Sequence, residues 1–304
     1  MKARIAGLFT WILLSLSTLH AEYDLDDRSA VEMGQERGQF ELNVLGDWVG
    51  KAKFRHHRHS SGGHIEFDHF EAVADAIIWY DECHKEGISA GFGYEYTKLK
   101  VSSKIFTRQN YDTAFINATY FTHRVPDWRW IAFFQYNIDA DKWSFNNYST
   151  YDMLLWGRWS YCTTVGIHFG IYAETGMKAD LVLPVIGIDW RLSEKLKLNA
   201  VFPLNISVIY NLTKNWAVAL AGRVFNERHR AGNEGFLRKA VWRYSNGGAE
   251  LALRYERNGK IQANIHAGYA LGGKLKVANM HYHHKHRFHF DGSAYAGAEI
   301  TASF

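Results

Sequence analysis

The sequence predicts a closed antiparallel transmembrane β-barrel of meander topology, with an even number of strands near 14 (range 12–16). Three observations carry this reading. Apolar and polar residues alternate with a period of two through most of the chain, short turn signals separate the alternating segments, and no segment repeats with the 3.6-residue period of an amphipathic helix.

Composition narrows the field first. Among 304 residues there are 19 Phe, 17 Tyr and 11 Trp, 47% of the chain is hydrophobic, and only 3 residues are Pro. So many large apolar side chains exclude a disordered chain. A mean hydropathy of -0.28 excludes a bundle of membrane-spanning helices. The formal net charge of +4 is too small to mark a nucleic-acid-binding surface, and no nucleic acid is expected as a partner.

Along the chain, residues 1–21 read as a secretory signal peptide. Lys2 and Arg4 form its basic start, Ile5 to Leu19 its apolar run, and Leu19-His20-Ala21 a cleavage site. The apolar run is shorter than the ~20 residues a spanning helix needs. Residues 22–39 are polar and acidic without sustained period, a periplasmic lead-in, and residues 40–304 form the barrel.

Within the barrel region, Leu196, Leu198, Ala200 and Phe202 alternate with Lys195, Lys197 and Asn199. Ile206, Val208, Tyr210 and Leu212 alternate with Asn205, Ser207 and Asn211. The pattern returns in Ala249, Leu251, Leu253 and Tyr255 against Glu250, Arg254 and Glu256, and in Ile261, Ala263, Ile265, Ala267 and Tyr269 against Gln262, Asn264 and His266. Successive strand side chains point to opposite faces, so each segment has one apolar and one polar face. Turn signals stand at Ser193-Glu194-Lys195, Leu212-Thr213-Lys214-Asn215, Asn246-Gly247-Gly248, Asn258-Gly259, Gly272-Gly273 and Asp291-Gly292. Cutting there gives 16 segments, ending in 236–245, 249–257, 260–271, 274–290 and 293–304. Several, including the two around Pro203, fall short of the ~9–11 residues of a spanning strand, which lowers the expected number.

A soluble barrel would show the same alternation with its apolar face inward. Mixed charges on the polar face favour a wet interior, and Arg129, Asp189, Arg191, Lys197, Glu250, Arg254, His266 and Glu299 are expected to line it. Trp128, Trp130, Tyr136, Trp190, Tyr210, Trp216, Tyr255 and Tyr269 gather toward segment ends, where Trp and Tyr suit the lipid headgroup level. The last strand carries Tyr295, Gly297, Ile300 and a terminal Phe304, with Ala296, Ala298 and Ala302 alternating. This ending resembles the C-terminal signal of bacterial outer-membrane proteins, which the barrel assembly machinery reads. The resemblance implies the bacterial outer membrane as location, with its lipid and that machinery as partners. The stretch from Gly187 to Val224 is similar to uncharacterised bacterial outer-membrane barrel families, which implies a fold and no activity.

Ten of the 16 histidines form two clusters: His56, His57, His59, His64 and His69 after the first strand, and His281, His283, His284, His286 and His289 in the last hairpin. Barrel closure brings the two connections together on the extracellular rim. His56, His57, His59, His64, His281, His283, His284 and His286 are therefore candidate ligands for a divalent metal, although Arg55, Arg58, Lys285 and Arg287 would repel one. No other cofactor is expected. Cys83 and Cys162 fall in turns four strands apart, beyond the ~7 Å that a disulfide allows between Cα atoms, and are expected to be free. The chain has no H-E-x-x-H, and its one G-x-S-x-G run, Gly87-Ile88-Ser89-Ala90-Gly91, lies within an alternating strand segment rather than at the strand-to-helix turn that a nucleophile elbow needs, so no catalytic residue is assigned. The function that fits is a porin-like channel or structural barrel with a polar, mixed-charge lumen. The alternatives are an outer-membrane enzyme of the lipid-hydrolase or acyl-modifying type, and a surface adhesin or metal-binding receptor using the histidine-rich rim.

Overall fold

The computed structural model describes residues 39–55, 63–102, 108–140, 142, 147–177, 179–231, 239–279 and 286–304. Residues 1–21, expected to be a signal peptide, and all but the last residue of the expected lead-in 22–39 lie outside the described residues. Its strands are β1 (Phe40–Lys53), β2 (His64–Asp81), β3 (Glu86–Val101), β4 (Asn110–Thr122), β5 (Trp128–Asp139), β6 (Ser149–Cys162), β7 (Val165–Gly176) and β8 (Leu181–Arg191). They continue as β9 (Leu196–Phe202), β10 (Asn205–Asn211), β11 (Trp216–Arg230), β12 (Val241–Arg257), β13 (Ile261–Ala270), β14 (Gly273–Ala278), β15 (His286–Phe290) and β16 (Ser293–Ser303). Neighbours in sequence pair antiparallel from β1 through β13, β13 pairs with β16, and β16 returns to β1.

The ring closes with 14 strands, because β13 and β14 are two halves of one strand, as are β15 and β16. Ala270 of β13 pairs with Gly248 of β12, and Lys274 of β14 pairs with Ser245 a little further along the same partner. Phe290 of β15 bridges Phe54, just past the β1 register that joins Val49 to Tyr295. The segmentation into 16 is corrected here. Asn246-Gly247-Gly248 lies inside β12, and Gly272-Gly273 and Asp291-Gly292 do not reverse the chain. The true reversal falls between β14 and β15, inside the stretch 274–290 that the pattern gives as one strand.

The glycines have a different job. Gly222 of β11 pairs with Ala249, one residue beyond the Gly248–Ala270 pair. Glycines thus recur at one level across β11 to β16, where β13 gives way to β14 and β15 to β16. A Cβ on Gly248 would stand 2.4 Å from the Tyr269 carbonyl oxygen, and one on Gly273 would stand 2.1 Å from that of Ser245. Gly272 adopts a φ of 101°, which L-residues rarely tolerate.

Outward-facing positions are apolar, as the alternation predicts. Leu251 and Ile265 are 63% and 60% exposed, on a surface shared with Phe92, Ile116, Ile171 and Ile186. Such a belt has no place in water and suits acyl chains. Turns of two to five residues (82–85, 123–127, 163–164, 192–195, 212–215, 258–260) close one end of the barrel, and the other end carries the longer connections together with the short 177–180 and 203–204. These are called the turn end and the loop end below. Cys83 and Cys162 are exposed free cysteines at the turn end.

On the loop side of the glycine row, the β11–β12 hairpin leaves the wall. β9 and β10 have only 7 residues each, meeting at Pro203, so β11 has no neighbour on its β10 side beyond Gly222. Upper β8 is open on the facing side, since its pairing with β9 begins at Ile186. Pro184, which cannot donate a ladder hydrogen bond on that side, lies in this open edge. Both faces of the freed hairpin are buried, from Phe225 to Arg230 and from Val241 to Asn246. By alternation Arg228 and Arg243 belong to its outward face, yet both pair with Glu174 on the inner face of β7, at 2.6 and 3.0 Å. Arg228 also donates to the Ala179 carbonyl at 2.6 Å, and Arg230 to that of Asn147 at 2.5 Å. The hairpin therefore lies inside the barrel.

Its other face seals a dry aromatic core against β1–β4. Tyr244 stacks on Phe67 with centroids 4.5 Å apart and on Phe290 at 5.3 Å, while Trp242 meets Tyr111 edge-on at 4.8 Å. Val49, Ile65, Leu99, Phe225 and Leu275 complete the cluster. Burial of several large rings and aliphatic chains, each worth about 1.5–3 kcal/mol, holds the hairpin in this half of the lumen.

Candidate functional site: the divided lumen

The space beside the hairpin is one cavity of about 960 Å³. It begins at the turn end among Gln39, Arg191, Lys195, Lys214 and Glu256, and runs up to Tyr148, Glu174, Met177 and Arg228. Of the residues expected inside, Arg191, Lys197, Arg254 and Glu299 line this cavity. The others face inward within compact polar clusters.

Two of those clusters matter for chemistry. On β6–β8, Arg158 donates to Asp189 at 2.7 and 2.9 Å, His168 Nε2 lies 2.5 Å from Asp189, and Trp156 Nε1 donates to His168 Nδ1 at 3.1 Å. On β1, β11, β12 and β13, Arg223 donates to Glu250 at 2.7 Å and to Asp47 at 3.2 Å, and His266 Nε2 lies 2.7 Å from Asp47. Asp189 and Asp47 are each met by a guanidinium and an imidazole, and Glu250 shares the Arg223 guanidinium and accepts from Tyr295, so each of these buried carboxylates has a cationic partner. Both nitrogens of His168 are engaged, and neither serves a hydroxyl nucleophile. Arg129 sits directly across from Arg158 in the β5–β6 ladder, hence on the same inward face. Beside it, in the β4–β5 turn, burial together with Arg129 and Lys85 pushes the His123 imidazole below its ordinary value.

The C-terminal strand divides its residues by parity. Tyr295 is buried inward and donates to Glu250 at 3.1 Å, and Gly297 leaves room for Asp47 and His266, whose side-chain atoms a Cβ would approach to 2.1 and 2.4 Å. Ile300 is exposed outward, and Phe304 exchanges backbone hydrogen bonds with Phe40 at the turn end.

Of the rim histidines, His56, His57, His59, His281, His283 and His284 lie outside the described residues. His64 and His286 are described on β2 and β15, which flank β1, but at different heights: His64 pairs with Lys53, whereas His286 lies four residues past the Phe290–Phe54 bridge, so the structure does not bring these two together. His69, from the same sequence cluster, is not at the rim. It points into the lumen and joins Glu71, Glu95, Glu227 and His229, which sequence reasoning missed. The available signal was polar pairs at i and i+2, His69 with Glu71 and Glu227 with His229, on faces that otherwise build the core.

Residues 86–303 match the family described as Domain of unknown function (DUF6268). The chain belongs to this family. Curated relatives of the DUF6268 chain include an uncharacterized protein of Chlamydia pneumoniae, 23% identical over 202 residues, which are 64% of this chain and 63% of that one. Another, from Chlamydia trachomatis, is 22% identical over 191 residues, 60% of this chain and 58% of that one. The chain thus spans about three fifths of the length of these relatives. Among solved structures it is similar to the COG4313 outer membrane channel from Pseudomonas putida F1, with a TM-score of 0.48, 9% identity, and 89% and 98% of the two chains covered. A mutant of the TodX monoaromatic hydrocarbon channel gives 0.47 at 9% identity, covering 88% and 91%. The fold is a closed antiparallel β-barrel with an apolar outer belt, and any activity has to be read from the site.

Proposed function

We propose that this DUF6268 chain is a narrow, passive outer-membrane channel that carries small solutes through the part of the lumen beside the infolded hairpin, with a preference for cations. In this reading the signal peptide exports it, the C-terminal strand guides its assembly, and the loop end faces outward. The observation that carries the proposal is the cavity itself. It is lined by 11 Asp and Glu against 6 Lys and Arg. In a pore walled by low-dielectric material, an excess of one sign concentrates the opposite ion. Much of the lining is polar side chains such as Asn43, Asn117, Gln135 and Thr301, which suits hydrated solutes. Full-length protein in a planar bilayer tests this. The expected result is small discrete conductance steps, with a reversal potential of cation-selective sign in a KCl gradient. Electrical silence, or anion selectivity, overturns the reading.

A further inference from the structure

We infer that His69, Glu95, Glu227 and His229 bind one divalent transition-metal ion of zinc-like chemistry, which fastens the infolded hairpin to the barrel wall. The site is separate from the histidine-rich rim and does not depend on the channel reading. His69 on β2 and Glu95 on β3 project from the wall, and Glu227 and His229, two apart on β11, project from the hairpin to meet them.

The spacing fits such an ion. His69 Nδ1 lies 4.0 Å from Glu95 Oε1 and 3.8 Å from Glu227 Oε1; His229 Nε2 lies 3.7 Å from Glu95 Oε1 and 3.3 Å from Glu227 Oε2. Four donors placed tetrahedrally at the ~2.0–2.1 Å typical of zinc–nitrogen and zinc–oxygen bonds are about 3.3–3.4 Å apart. The donors of His69, Glu95 and Glu227 all lie within 4.8 Å of one another, so the His69–carboxylate distances need to shorten by roughly 0.5–0.7 Å around the ion, and His229 joins the three through the second oxygen of Glu227. Two imidazoles with two carboxylates form a borderline-soft N/O set, and a dication cancels the two carboxylate charges.

Burial supplies the second argument. The His229 side chain is only 6% exposed and aims Nε2 at the two carboxylates, yet that nitrogen makes no hydrogen bond. A buried polar atom that makes no hydrogen bond is costly, and a coordinate bond removes that cost. The rings are held for the purpose. His229 packs against Tyr111 and Trp242, both with centroids at 5.0 Å, and His69 lies parallel to Phe67. Glu71 Oε2 stands 3.8 Å from His69 Nε2, on the side from which a carboxylate orients a metal-bound imidazole.

The test uses full-length protein refolded in detergent, stripped with chelator, loaded with ZnCl₂ and desalted, with metal counted by mass spectrometry. A background variant replaces His56, His57, His59, His281, His283 and His284 with Asn, so that rim binding does not count. It is expected to retain about one zinc per chain, and Co²⁺ in place of zinc is expected to give the intense visible bands of tetrahedral coordination. In that background His229→Ala is expected to weaken zinc at least about 100-fold, Glu71→Gln about 10–100-fold, and His229→Cys to restore retention. Where His229→Ala fails to fold, the Co²⁺ spectrum of the background protein decides. Absence of stoichiometric zinc and of the tetrahedral bands in the background protein overturns the site, as does unchanged affinity in a folded His229→Ala variant.

Discussion

Replacing Glu174 by Gln is expected to loosen the hairpin and open the lumen. Glu174 is buried on β7 and receives both Arg228 at 2.6 Å and Arg243 at 3.0 Å, each of which is buried as well. Removing one partner of a buried ion pair costs about 3–5 kcal/mol, because the remaining charge stays in low dielectric without compensation. Asp152, directly opposite Glu174 in the β6–β7 ladder, recovers part of the loss, so the lower figure of about 3 kcal/mol applies. At about 1.4 kcal/mol per factor of ten, the docked hairpin loses about 100-fold in population relative to undocked states. The assay is single-channel recording, where the variant is expected to show larger or longer-lived conductance steps than the parent. Limited proteolysis of the 231–240 connection in proteoliposomes gives an independent reading, with faster cleavage in the variant. A triple change of Glu174, Arg228 and Arg243 to Met removes the charges together and is expected to restore parental behaviour, since apolar replacement of a whole buried ion cluster is often neutral or stabilising. Parental conductance and parental proteolysis in Glu174→Gln would refute the idea that this ion cluster holds a plug.

Leu251→Arg, on the outer belt, is expected to destabilise the barrel by about 2–4 kcal/mol, read as a lower urea midpoint for loss of the compact band in unheated SDS gels. In a water-soluble barrel the same change at so exposed a site would cost almost nothing. Cys83 and Cys162, both at the turn end, are expected to resist a membrane-impermeant maleimide in intact cells and to react once the outer membrane is permeabilised. Their labelling in intact cells would reverse the assigned orientation.

The fold was legible because period-two alternation depends only on which face meets lipid, and every strand repeats it. Leu251, Ile265 and Ile300 needed no tertiary information to be placed outward. Glycine was ambiguous: at 246–248, 272–273 and 291–292 it serves a bend in a continuing strand, and sequence alone does not distinguish a bend from a reversal. Merging segments across these three sites and splitting 274–290 leaves the number even, so parity hid the error. The charge clusters were legible one partner at a time. Asp189 and Glu250 stood out as inward charges, but their mates Arg158 and Arg223 stand 31 and 27 residues earlier, on β6 and β11, a spacing that no local pattern marks. The His69–Glu95–Glu227–His229 constellation was out of reach for a different reason. It exists only because upper β11 turns inward, and that turn follows from the shortness of β9 and β10, a property of neighbours rather than of β11 itself.

The central claim is that apolar side chains of this barrel meet lipid while its polar ones enclose the lumen. Spin labels placed singly at residues 249–255 of β12, in protein reconstituted in bilayers, test it most directly through their collision rates with dissolved oxygen. High oxygen accessibility at 249, 251 and 253, alternating with low values at 250, 252 and 254, is the predicted result. The opposite phase, or the absence of a two-residue period, would contradict it.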